Sequence, residues 1–151
     1  MLHAKDVMTA KVIALRPEMK IVEAAKILLD NHINGAPVVG GDLELLGILC
    51  QSDLVAQQKA VSVPSFFSTL DGFIPLGSFK DMDREMEKIA ATTVGAAMTP
   101  DPLYVTLDAS VEDIAGVMVD KGYHTVPVVD DGKVVGVVGK EDILRTLIEN
   151  K

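Results

Sequence analysis

The sequence predicts an α/β (α+β) protein made of two similar units in β-α-β-β-α order. Three observations predict this fold class. A short motif recurs after 90 residues, apolar residues recur at helical spacing in each copy, and a pair of apolar runs follows each helix. A unit this short cannot bury both faces of a small sheet alone. The two units are therefore expected to pack face to face around a pseudo-twofold axis, with a cleft between them.

The repeat is visible residue by residue. "VMT" at 7–9 returns as "AMT" at 97–99, and "APVV" at 36–39 returns as "VPVV" at 126–129, both at an offset of 90. A one-residue deletion in the next turn changes the offset to 89. That offset relates "GILCQSDL" at 47–54 to "GVVGKEDIL" at 136–144. So many matches in the same order predict two copies of one structural unit.

Each copy is expected to open with a short strand, Val12–Leu15 or Leu103–Leu107, and to continue into an amphipathic helix. Apolar residues at helical spacing form the two stripes: Ile21, Ala24, Ala25, Leu28 and Leu29, then Val111, Ile114, Ala115, Met118 and Val119. Ser110 with Asp113 predicts an N-terminal cap for the second helix, and Gly122 predicts its end.

Two apolar runs separated by a polar turn follow each helix. They are 36–39 with 45–49, and 126–129 with 134–138. "DDGK" at 130–133 is typical of a hairpin turn. A closing helix is predicted to begin near Asp53 in the first copy and near Asp142 in the second.

On these residues the chain resembles a tandem pair of cystathionine-β-synthase (CBS) domains, the regulatory Bateman module. The resemblance rests on "VMT…IVEAAKILLDNHINGAPVV…LLGILCQSDLV" and "AMT…SVEDIAGVMVDKGYHTVPVV…VVGVVGKEDIL". It divides the chain into a first motif at 1–57, an insert at 58–92 and a second motif at 93–151. The family commonly forms homodimers in which two pairs stack into a disc.

The resemblance also implies a ligand, because the family senses AMP, ADP, ATP or S-adenosylmethionine. Asp53 and Asp142 match the aspartates that contact ribose, and carboxylates suit that role as hydrogen-bond acceptors. The matching hydroxyl position holds Cys50 in one copy and Gly139 in the other, so the phosphate end departs from the family pattern. Further candidate ligand residues are Lys140, which could supply a charge, Ile33 and Tyr123 beside the base, and Asn34 and His124 near base or phosphate.

The same residues have simpler interpretations. Asp53 and Asp142 can cap the closing helices. Cys50 can be a small buried apolar residue. His124 can be an ordinary surface or core histidine. The two interpretations of an aspartate are compatible, because one carboxylate can cap a helix and contact a ligand.

The insert is unusual because it holds all four phenylalanines of the chain: Phe66, Phe67, Phe73 and Phe79. Pro64 and Pro75 interrupt its first half, whereas "SFKDMDREMEKIA" predicts a helix of about three turns. The aromatic residues could cover an open end of the repeat pair or a neighbouring subunit, which is the favoured interpretation. Alternatively they could dock a client protein or act as a lid over the cleft.

Composition narrows the function. The net charge of −8 disfavours nucleic acid or an anionic membrane as a partner. The single cysteine, the lack of a signal-peptide pattern and the lack of a long apolar run favour a cytoplasmic protein. His3, His32 and His124 show no metal-ligand spacing, and no nucleophile or phosphate-loop motif is present.

The favoured function is therefore a non-catalytic module that needs no cofactor. It would sense an adenosine ligand, act as a homodimer and report to an unidentified client protein. The alternative is a structural or protein-interaction module whose nucleotide sites are degenerate. An enzyme is disfavoured because the sequence shows no nucleophile–base pair.

The hydroxyl position generates a test. Replacing Cys50 or Gly139 singly with Thr supplies the missing hydroxyl, so we expect tighter nucleotide binding, by up to about tenfold for one added hydrogen bond. Titration calorimetry with AMP, ADP, ATP and S-adenosylmethionine measures the change. Unaltered affinity in both variants would mean that the hydroxyl position is assigned wrongly.

Overall fold

A computed structural model describes residues 1–57 and 92–149. The predictions for the insert, including its helix and its four phenylalanines, lie outside the described residues. The described elements are, in chain order, α1 Ala4–Val7, α2 Ile21–Asp30, β1 Gly35–Val39, β2 Leu45–Cys50, α3 at 51–57, α4 Val94–Ala97, β3 Thr99–Pro100, α5 Val111–Lys121, β4 Thr125–Asp130, β5 Lys133–Gly139 and α6 Lys140–Glu149.

Both predicted hairpins are present. β1 pairs antiparallel with β2, β4 pairs antiparallel with β5, and each ladder has an irregularity at the same place in the repeat, Val38/Val39 and Val128/Val129. The turn of the second hairpin is built on Asp131 and Gly132, whose φ angles are 52° and 76°. Two successive positive φ angles are the requirement of a tight type I′ hairpin, which confirms the prediction from "DDGK".

The predicted opening strands are wrong in extent. Each is reduced to a single parallel bridge, Leu15 to Val38 and Val105 to Val128. Leu15 N–H donates to the carbonyl of Pro37, and Val39 N–H donates back to Leu15. The next bond toward the N-terminus would need an N–H on Pro37, which proline lacks. Pro127 imposes the same limit on the second copy.

The helix predictions are largely confirmed. The Ser110 hydroxyl accepts a hydrogen bond from the Asp113 N–H at 3.0 Å, and Gly122 ends α5 with a φ of 70°. Ile21, Ala24, Leu28 and Ile114 are buried. The last residue of each predicted stripe is the exception, because Leu29 and Val119 are 65% and 80% exposed.

Each motif is completed by an N-terminal arm, residues 3–11 or 93–101, that belongs to the other motif. In the first arm, Ala4 N–H donates to Ala109 O at 2.7 Å, and Thr9 pairs with Val137 on β5. In the second arm, Val94 N–H donates to Met19 O at 2.7 Å, and β3 pairs with β2. The two arms make equivalent bonds in opposite directions, as a pseudo-twofold axis requires. Face-to-face packing is therefore accompanied by an exchange of segments.

The arms also complete the two cores. Val94 is fully buried in the first core, among residues such as Leu15, Leu28 and Leu49. Ala4, its counterpart, is fully buried in the second core, beside Ile114. Neither core is therefore formed by one copy alone.

Glycine on each hairpin makes room for the methionine of the opposite arm. A Cβ added to Gly136 would lie 2.4 Å from Met8 Sδ, and a Cβ added to Gly47 would lie 2.4 Å from Met98 Sδ. The Gly47 position is also confined by backbone, since the Thr99 carbonyl oxygen would be 2.8 Å away. A side chain can move aside, whereas a paired strand cannot do so cheaply.

No helix within residues 1–57 and 92–149 has the length and apolar character needed to cross a membrane.

We expect Gly47→Ala to lower the free energy of unfolding by about 1–3 kcal/mol, the usual cost of overpacking. Gly136→Ala should cost less, because only the Met8 side chain opposes the new methyl group. Gly116→Ala is the matched control, since nothing lies within 4 Å and alanine favours its helix. Urea denaturation measures all three. Equal stability of the Gly47 and Gly116 variants would contradict the arm-packing explanation.

Candidate functional site

The two strand-to-helix corners have the same local geometry. Asp53 Oδ2 accepts a hydrogen bond from the Cys50 N–H, and Asp142 Oδ2 accepts one from the Gly139 N–H, each at 2.8 Å. Each carboxylate therefore caps the start of its closing helix, α3 or α6. The cap uses one carboxylate oxygen and leaves the other available for another contact.

A cavity of about 340 Å³ lies between the two motifs, beside the second corner. Its first wall comes from the first motif and includes Ile33 and Asn34, which precede β1, with Thr9 and Lys11 of the arm. Its second wall comes from the second motif and includes Gly139, Lys140, Asp142, His124 and Arg145. This volume falls in the range of small-molecule sites.

The cavity brings together six of the nine residues that the sequence suggested for nucleotide binding: Ile33, Asn34, His124, Gly139, Lys140 and Asp142. The other three, Cys50, Asp53 and Tyr123, do not line it. By the repeat offsets they are the counterparts of Gly139, Asp142 and Ile33. They belong to the first corner, where the Tyr123 hydroxyl oxygen lies 3.4 Å from the Leu103 N–H that donates to it.

Charge distinguishes the two corners. Lys11, Lys140 and Arg145 line the cavity. Their counterparts at the first corner are Asp101, Gln51 and Ala56. The cavity lining therefore carries three basic side chains and two acidic ones, Asp142 and Glu141, in a chain whose net charge is −8. The three basic side chains can contact an anionic ligand. These three differences are separate from the one at the hydroxyl position, which holds Cys50 at the first corner and Gly139 at the second.

The backbone at the second corner is already engaged. Gly139 N–H donates to Asp142, and Lys140 N–H donates to the His124 carbonyl at 3.1 Å. These two amides are therefore not available to a phosphate. A Cβ added to Gly139 would have no atom closer than 3.7 Å, so a Cβ is accommodated there without a clash.

Asp142 is held from a second side. Its Oδ1 accepts a hydrogen bond from Arg145 Nη1 at 2.8 Å, within one turn of α6. The Asp142 side chain is only 9% exposed, whereas the Arg145 side chain is 59% exposed. The pair therefore combines a fixed carboxylate with a guanidinium that can reach solvent.

Cys50 is not suited to nucleophilic chemistry. Burial, and then the negative charge of Asp53, raises the pKa of its thiol from 9.0 to about 11. The thiol is therefore protonated at neutral pH, and the thiolate is the reactive form. Among residues 1–57 and 92–149, no three or more His, Cys, Asp or Glu side chains are grouped to hold a metal ion.

Lys11 and Arg145 were not among the residues selected from the sequence. Arg145 carries a readable signal, because it follows Asp142 by three residues on a predicted helix and i,i+3 residues are neighbours. The sequence gives no comparable signal for Lys11, because this residue reaches the cavity only through the arm exchange.

Known proteins share this architecture. Over 142 residues the chain is 30% identical to the CBS domain-containing protein CBSX1, chloroplastic, of Arabidopsis thaliana, which covers 91% of this chain and 59% of that protein. The chain thus spans about three fifths of the length of that curated relative, and the same fraction holds for the related CBSX2.

Two solved structures resemble the whole chain. CBSX2 in complex with AMP superimposes with a TM-score of 0.77 at 26% identity, covering 100% of this chain and 99% of that one. The CBS domain pair of protein MJ0100, in complex with 5′-methylthioadenosine and S-adenosyl-L-methionine, gives 0.71 at 26% identity with the same coverage.

The family model for the CBS domain matches residues 4–59 and again residues 94–149. These two matches coincide with the two copies of the repeat and include both strand-to-helix corners. The chain belongs to the CBS domain family and carries two CBS domains in tandem.

Proposed function

We propose that the chain is a non-catalytic regulatory module that binds an adenosine ligand in the cavity between its two CBS domains. The observation that carries the proposal is the wall composition of that cavity, which combines a nearly buried aspartate, paired with Arg145, with two further basic side chains and Glu141. The related CBS pairs that hold AMP, or methylthioadenosine with S-adenosylmethionine, support the same ligand class.

The residues divide by chemistry into a sugar end and a phosphate end. Asp142 is the proposed acceptor for the ribose hydroxyls, because carboxylate oxygens accept strong hydrogen bonds. Lys11, Lys140 and Arg145 are the proposed phosphate contacts. Ile33 is the proposed apolar neighbour of the base. Both motifs contribute, so a bound ligand would contact both and favour one relative orientation of the two.

Regulation follows if the ligand has different affinities for two such orientations. A client protein that distinguishes the orientations would then sense the ligand. Asp53, Cys50 and Tyr123 form the proposed second site. Because that site lacks the three basic residues, we expect it to bind a phosphorylated ligand weakly.

The alternative function is an interaction module without a physiological ligand. One observation favours it: the first corner holds Asp101, Gln51 and Ala56 in place of the three cations. This alternative predicts that neither the wild-type chain nor the Asp53 and Asp142 variants bind a ligand in the titration.

Titration calorimetry tests the ligand proposal with AMP, ADP, ATP and S-adenosylmethionine. We expect one strong site per chain for a phosphorylated ligand. Asp142→Asn should weaken that binding at least about tenfold, because a neutral amide replaces a charged acceptor. Asp53→Asn is the matched control, since it removes the equivalent cap charge at the other corner and should leave the strong site unchanged.

If none of the four ligands binds measurably at millimolar concentration, the proposal is rejected in favour of the interaction module. An equal loss of affinity in the two asparagine variants would also contradict the assignment of the strong site to the second corner.

We also propose that the module acts as a homodimer. Leu144, Leu147 and Ile148 lie at i, i+3 and i+4 on α6 and are 54%, 76% and 69% exposed. Val55 on α3 is 67% exposed. Such aliphatic surface on both closing helices is suited to burial against a second copy.

We expect Leu147→Glu to weaken self-association at least about tenfold, because a charge would be buried without a partner. Sedimentation velocity over a concentration series measures the effect. Leu43→Glu is the control, since Leu43 is an exposed leucine (44%) in the β1–β2 turn. A wild-type chain that is monomeric, or a Leu147 variant that still dimerises normally, would contradict this proposal.

A further inference from the structure

The Asp142–Arg145 pair places a condition on any ligand that uses Asp142. The cap occupies Oδ2, because the Gly139 N–H donates to it at 2.8 Å, and Arg145 Nη1 donates to Oδ1 at the same distance. Both oxygens of this nearly buried carboxylate therefore have a partner before a ligand arrives. One partner is backbone and fixed. The other is a side chain that is 59% exposed and free to move.

Each carboxylate oxygen can accept two hydrogen bonds, so a ligand hydroxyl must either share Oδ1 with the guanidinium or displace it. For an uncharged nucleoside displacement is unfavourable, because a hydrogen bond between two opposite charges is replaced by one in which only the carboxylate is charged. The displaced guanidinium then remains in a cavity wall that also holds two lysines, Lys11 and Lys140, against one further carboxylate, that of Glu141. Like charges close together raise the cost further.

A phosphorylated nucleoside removes this penalty. Its phosphate offers the released guanidinium two oxygen acceptors, which the planar guanidinium can bind in a bidentate manner. It also neutralises the two lysines. Because the Arg145 side chain lies mostly in solvent, it can change partners without repacking the core.

From this geometry we infer that Arg145 is a specificity-determining residue that leaves Asp142 for the ligand's phosphate. The cavity thereby selects a nucleoside phosphate over the free nucleoside. The inference rests on the proposed function, since it assumes that Asp142 meets a ribose.

The first corner provides an internal comparison. Asp53 makes the same cap bond to Cys50, but Ala56 occupies the position that matches Arg145. An aspartate that caps a helix at this corner therefore does not require the arginine. The Asp142–Arg145 contact is an addition at the corner that lines the cavity, and this placement favours a role in binding over a role in folding.

Calorimetry with AMP and adenosine tests the inference on the full chain. Wild type should prefer AMP. Arg145→Gln should weaken AMP binding about tenfold while leaving adenosine unchanged or tighter, since Oδ1 is released. Arg145→Lys should restore part of the preference because it keeps the charge without the planar fork. Lys133→Gln, at the exposed hairpin of the second motif, is the control for loss of one positive charge and should behave as wild type.

The ratio of the two affinities separates selection from folding, because a damaged structure would weaken both ligands together. An equal loss for AMP and adenosine, or unchanged AMP binding in Arg145→Gln, would overturn the inference alone. Absence of AMP binding to wild type would overturn the proposed function and this inference with it. Thermal unfolding of each variant confirms that it is folded during the titration.

Discussion

The exchange of N-terminal arms is the interaction on which the rest of the structure depends. Ala4 and Val94 each occupy the core of the opposite motif, and each arm continues into a strand-like contact with the opposite hairpin. Positions 136 and 47 favour glycine, because the side chains of Met8 and Met98 occupy the space that a Cβ would need. The candidate site depends on this arrangement, because Thr9 and Lys11 of the first arm line the cavity. The first arm therefore contributes both to core packing and to the wall of the candidate site.

Local patterns in the sequence predicted the helices and hairpins well. The cap at Ser110, the end of α5 at Gly122 and the turn at Asp131–Gly132 depend on near neighbours, so their signals are local. The arm exchange could not be predicted in this way. The four-residue helix Ala4–Val7 has no clear pattern of its own, and its partners lie about 100 residues away. The shortening of the opening strands depends on Pro37 and Pro127 acting on a different strand, which propensity does not reveal.

The sequence indicated only part of the cavity wall, for a related reason. The repeat located both corners and their aspartates, and six of the suggested residues line one cavity. The sequence distinguished the corners at Cys50 and Gly139 and suggested a charge from Lys140. The structure adds Lys11 and Arg145 to the same cavity wall. The spacing of Arg145 from Asp142 is readable in the sequence, whereas the position of Lys11 becomes visible only when the two motifs are assembled. The proposed division of the chain at 57 and 93 remains a prediction from the repeat, as do the roles of the insert phenylalanines.

The exchanged arms have a consequence for how such a chain could arise. A single motif would have an arm with no second motif to pack against. Its own core would also lack the arm residue that completes it. Two separate copies could satisfy each other only by meeting, so their stability would depend on concentration. A covalent connection between copies replaces that dependence with a high local concentration that dilution cannot remove. The tandem chain is in this sense a domain-swapped dimer made permanent. Because the two halves are joined, they need not be identical, and here one corner carries Lys11, Lys140 and Arg145 where the other carries Asp101, Gln51 and Ala56.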